Sequence, residues 1–151
     1  MSLKQTISEE VKKAMRAKDS ARLSTLRFLQ AAIKQREVDE QKELSDPDVT
    51  SILEKQVKQR RESIAAYEQA GRLETAELER AEILVLQEFL PKAASAEEVA
   101  KAIADAIAQA TADGAQGPAV MGRVMALLKQ SLAGRADMSE ISKQVKQALT
   151  P

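Results

Sequence analysis

Gly122-Arg123 and Gly134-Arg135 are the residue pairs best suited to meeting a ligand. Gly122 and Ala126 lie four apart, so on a helix they share a face of small residues that another backbone can approach closely. Arg123 and Lys129 emerge near that face, and Arg135 follows Gly134 in a turn. Free N–H groups at the start of the next helix add a place for a phosphate. The bland alternative is that Gly122 permits tight helix packing and Gly134 supplies a left-handed turn. A second basic feature is Lys55, Lys58, Arg60 and Arg61. At about 100° per residue Lys58 and Arg61 share a face, and Arg60 lies beside Gln56 and Ser63. These cations suit a phosphate ridge. Alternatively, Arg60 or Arg61 pairs with an acid in residues 74–88.

Other chemistry is scarce. The chain has no histidine and no cysteine. That removes the commonest general base, the thiol nucleophile, disulfides and thiolate metal sites. Acid pairs such as Glu37 with Glu40 and Glu79 with Glu82 read as a solvated helix face. The acidic stretch Asp39–Asp48 lacks the spacing and glycine of a calcium loop. Gly114 and Gly117 are not followed by the Lys-Ser/Thr of a phosphate loop. No catalytic residue, metal site or cofactor is expected.

The elements that must position the basic residues are helical. Only three aromatics occur, so the core rests on aliphatic residues, which suits helix packing. No glycine precedes Gly71, and Pro47 is the one proline before Pro91. The first seventy residues therefore read as long helices. Leu3, Ile7, Val11 and Met15 stripe the first, and Leu23, Leu26, Leu29 and Ile33 the second, after a break at Asp19-Ser20. Ser45-Asp46-Pro47-Asp48 opens the third. The fourth runs from Gly71 to about Phe89 with Leu78, Val85, Leu86 and Phe89 inward. After Pro91 alanine rises, and Ser95 and Asp137 are helix caps. The prediction is an all-α chain: an N-terminal long-helix unit of about four helices over residues 1–92, then a compact three-helix module over 93–151. The most apolar of the three, from Gly117-Pro118, is the centre of its module.

Charge alternates in blocks. Residues 1–36 hold nine basic and three acidic residues, and 37–54 hold one basic and seven acidic. Such blocks serve solubility and packing, or a polyanion. No apolar run approaches the ~18 residues that span a bilayer. The start of the chain has no signal-peptide core, so a soluble cytoplasmic protein is expected.

Met121-Gly122-Arg123-Val124-Met125, then Gly134-Arg135-Ala136-Asp137, resemble the GatB/YqeY family. Lys58-Gln59-Arg60-Arg61-Glu62-Ser63, Ala70-Gly71-Arg72 and Leu90-Pro91 resemble its YqeY branch. The C-terminal part is similar to the tail domain of the GatB subunit of the tRNA-dependent amidotransferase. The resemblance implies tRNA contact through Gly122, Arg123, Gly134, Arg135, Asp137 and the Gly114-Ala115 turn. It also associates the chain with carbon–nitrogen ligase activity that uses glutamine, although no stand-alone catalytic site is visible. The leading expectation is a tRNA-associated accessory protein, partnered by tRNA or an aminoacyl-tRNA enzyme, with Gly122, Arg123, Lys129, Gly134 and Arg135 at the contact. No membrane or DNA partner is expected. The alternative is a helical protein–protein adaptor without RNA binding, using Met121, Met125 and Met138 as an adaptable apolar contact.

Overall fold

The computed structural model describes residues 1–150, which contain seven helices and no strand. Local signals set the helix starts. In α1 (Leu3–Arg16) Ser2 and Gln5 form a capping box: Ser2 Oγ accepts the Gln5 N–H at 3.1 Å and Gln5 Oε1 accepts the Ser2 N–H at 2.9 Å. Asp19 caps α2 (Ser20–Glu40) by accepting the Arg22 N–H. Before α3 (Asp46–Gln69), the Asp48 carboxylate takes both the N–H and the hydroxyl of Ser45. Gly71, at φ +74°, turns the chain into α4 (Leu73–Gln87).

The backbone divides into two compact units, Met1–Pro91 and the residues from Lys92 onward. In the first, α3 packs along α4, α1 along α2, and α2 also meets α4. Ile7, Leu29, Val49, Leu53 and Leu86 are fully buried in its main core. In the second, α5 (Ala96–Ala112), α6 (Pro118–Ser131) and α7 (Met138–Leu149) enclose Val99, Ile103, Val124, Leu128, Ile141 and Val145. Helix α6 packs against both α5 and α7, the central place its composition predicts.

Two core expectations fail. Met15, on the stripe of α1, is 45% exposed. Leu78 is not inward but 67% exposed. The inner face of α4 carries Ala76, Ile83 and Leu86. Leu78 lies about 200° around the helix from Ala76, on the far side.

Candidate functional site

The basic residues of the second unit are occupied within the fold. The Arg123 guanidinium donates to Asp113 Oδ2 through Nη2 at 3.0 Å and Nε at 3.3 Å. Asp113 is the C-cap of α5. Arg135, in the turn before α7, donates from Nε to the Lys92 carbonyl at 3.0 Å and pairs with Glu98 in the first turn of α5. Its own carbonyl accepts the Ala94 N–H at 2.8 Å. Arg135 holds the Glu98 carboxyl below its ordinary range. The two arginines therefore answer acids at opposite ends of α5, about 22 Å apart at 1.5 Å per residue. They do not converge on one anion. Lys129 is exposed on α6, apart from both pairs.

The glycines divide. Gly134, at φ +72°, supplies the turn before α7. Gly122 is exposed on α6, and a Cβ built there would meet no atom within 4 Å. It therefore permits no close helix packing, contrary to one expectation. Nor do Met121, Met125 and Met138 form a free apolar surface. All three are partly buried against their own core.

The α3 cations split as well. Lys55, Lys58 and Arg61 are exposed, whereas Arg60 is only 9% exposed and leaves their face. Arg60 Nε donates to Glu82 Oε2 on α4 at 2.8 Å, the interhelical pairing that the sequence offered as the alternative. Arg60 Nη1 donates to the Gln56 carbonyl at 3.4 Å, and its guanidinium lies 5.4 Å from the centroid of the Phe28 ring on α2. Glu79 also lines this place. Burial, then the Glu82 charge, pushes its carboxyl up. Glu79 and Glu82 are thus half-buried rather than a fully solvated face.

Two concavities result. In the first unit, a pocket of about 310 Å³ is lined by Ser24, Thr25, Phe28, Gln59, Arg60, Ser63, Glu79 and Glu82. In the second, a groove of about 650 Å³ runs between α5 and α6. Ala102, Ala106, Leu127 and Leu132 give it apolar lining, while Glu98, Lys101, Asp105, Gln109, Gln130 and Arg135 supply polar lining. The sequence reading missed the groove, although Ala102 and Ala106 carry the same small-residue spacing it singled out at Gly122 and Ala126. Among the described residues no group of three or more acids could hold a metal ion. No helix of the described residues is long and apolar enough to cross a membrane.

Residues 4–149 match the family of Yqey-like proteins. The chain belongs to the YqeY-like family. Among curated relatives, "Altered inheritance of mitochondria protein 41, mitochondrial" of Eremothecium gossypii is 40% identical over 62% of this chain and 53% of its own length. The protein of that name from Pyrenophora tritici-repentis is 28% identical over 95% of this chain and 78% of its own. An "Uncharacterized protein C22F3.15" of Schizosaccharomyces pombe is 30% identical over 62% of this chain and 76% of its own. The chain spans about half the length of the first of these relatives.

These findings correct two expectations. Four of the relatives are named for inheritance of mitochondria and not for tRNA or an amidotransferase, which overturns the tRNA-associated role. Their names also place them in mitochondria, which overturns the cytoplasmic expectation. Arg123 and Arg135 are each engaged by an acid of the same unit.

Proposed function

We propose that this YqeY-like chain is a protein-binding module whose C-terminal unit holds an amphipathic helix of a protein partner. The observation that carries the reading is the α5/α6 groove. Its alanines let a helix backbone approach, Leu127 offers apolar area, and Lys101 and Asp105 on its walls can fix the partner's register. A groove of this kind reads apolar anchors at i, i+3, i+4 and i+7. The name that four of the relatives share describes a process rather than a reaction, and a binding role fits it without a catalytic group.

The test is site-specific photocrosslinking in cells. A crosslinker at Gln130, inside the groove, is expected to capture one protein through an amphipathic segment identified by mass spectrometry. The product should survive RNase and vanish in the Ala102→Arg variant, which fills the groove. A crosslinker at Lys146 on α7 should not give it. No product, or one indifferent to Ala102→Arg, would overturn the reading.

A further inference from the structure

Helix α4 carries three large apolar side chains that its own unit leaves in the open: Leu73 is 62% exposed, and Leu78 and Leu84 are each 67% exposed. Two of them belong to one stripe. Leu73, Glu77, Arg80 and Leu84 follow one another at intervals of 4, 3 and 4 residues. At about 100° per residue all four fall within about 60° on the helix surface. This is the spacing along which one helix seats against a second. The face of α4 that fills its own core is a different one, formed by Ala76, Ile83 and Leu86. Leu78 lies about 120° around the helix from Leu84, off the stripe.

The stripe is complementary to itself when reversed. Running it backwards exchanges Leu73 with Leu84 and Glu77 with Arg80. Two copies laid antiparallel would therefore bring Leu73 against Leu84 at both ends and Glu77 against Arg80 twice in the middle. A parallel pair in register would instead face Glu77 with Glu77 and Arg80 with Arg80, and like charges across an interface are costly. Charge thus selects the antiparallel pair, a two-fold arrangement that closes on itself. Polar residues within such a stripe fix register and orientation. Within one chain Arg80 pairs with Glu77 and with Glu68 of α3. The Arg80 contact uses Oε1 of Glu77, whose side chain is 71% accessible, so its carboxylate has room to accept the partner's Arg80 as well.

We infer that α4 is the seam of a homodimer in which two copies of this chain meet antiparallel through Leu73, Glu77, Arg80 and Leu84. The seam belongs to the first unit and owes nothing to the α5/α6 groove. Its two leucine layers remove apolar area from water, and its central charge layers choose the orientation. Two leucine layers are a small apolar core, which puts the pair in the weak, concentration-dependent class.

The experiment is sedimentation equilibrium of the full chain from micromolar to millimolar concentration. The average mass is expected to rise toward that of two chains. Leu84→Arg should weaken association at least tenfold while circular dichroism shows an unchanged fold. Leu78→Arg, equally exposed but off the stripe, should associate as the parent does. Orientation is read by disulfide trapping, which is clean because the chain has no cysteine. In oxidised glutathione, Leu73→Cys mixed with Leu84→Cys should form a linked pair at least tenfold faster than either variant alone. The mass of a single chain at every concentration, equal effects of Leu84→Arg and Leu78→Arg, or trapping of either cysteine variant alone as fast as the mixture would each overturn the inference.

Discussion

At Gly122 an added methyl group would enter open space, since no atom lies within 4 Å of its position. The backbone there is ordinary helix, so glycine contributes only its unfolded-state entropy. Gly122→Ala should stabilise the chain by about 0.5–1 kcal/mol, read as a higher urea midpoint with an unchanged slope. A loss of stability would show that the position carries a packing constraint. Glu79 is the opposite case, a residue that the fold holds at a cost. Its folded-state pKa is raised above the ordinary value of 4.5 by burial and by Glu82. A raised carboxyl destabilises the fold once it ionises, so this penalty develops as pH rises through the folded pKa. Glu79→Gln should therefore raise the thermal midpoint at pH 7 and leave it nearly unchanged at pH 3, where both states are protonated. Equal effects at the two pH values would contradict that account.

Among the elements, Arg123 on α6 and Arg135 in the turn after it differ in what they join. Arg123 meets Asp113 in an exposed pair, with side chains 48% and 37% accessible. Such pairs contribute little, so Arg123→Ala should cost about 0.5 kcal/mol or less. Arg135 ties the turn after α6 to the Lys92 carbonyl and to the first turn of α5. Arg135→Ala loses a hydrogen bond to the main chain as well as an ion pair, and should cost about 1–2 kcal/mol in denaturant unfolding. Equal costs would mean that the staple does not hold these elements together. Arg135 meets Glu98 37 residues away, whereas Arg123 meets Asp113 only 10 residues away.

For the molecule as a whole, each unit owns its core, with Leu53 and Leu86 fully buried in one and Val124 and Leu128 in the other. A fragment of residues 92–151 should therefore fold alone, with a cooperative melt by circular dichroism. A domain of about 60 residues is marginal, so Leu128→Ala, costing about 2–5 kcal/mol, should unfold that fragment. A non-cooperative melt of the parent fragment would show that its core is not self-sufficient. Acid acts on both units. Lys4, with the Leu44 N–H, holds Glu37 below the usual carboxylate value; Lys13 and Arg22 do so for Glu10, Ser45 for Asp48 and Arg135 for Glu98. A depressed carboxyl stabilises the fold fully above its unfolded pKa and loses that contribution as pH falls through the folded one. Stability of the full chain should thus decline below about pH 4.5, and Glu37→Gln should flatten part of that decline in denaturation curves taken from pH 7 to 3.

The helices were legible because their signals are local. Apolar spacing marks α1, and Asp19, Ser45, Gly71, Ser95 and Asp137 punctuate the chain where helices begin or end. A cap acts on N–H groups two or three residues away, so it can be read without knowing the fold. Leu78 was misread because α4 offers apolar residues on more than one side, and only packing against α3 and α2 selects which is buried. The basic residues were visible, but their partners were not. Asp113 and Glu98 engage Arg123 and Arg135, and Phe28 and Glu82 surround Arg60, only once the helices pack together. The family, the all-α class and most helix starts can be read along the chain, since these depend on neighbours within a turn or on short motifs. Tertiary structure alone decided which charges remain open to a ligand, because charge, burial and unmet hydrogen bonds at a site are sums over several elements.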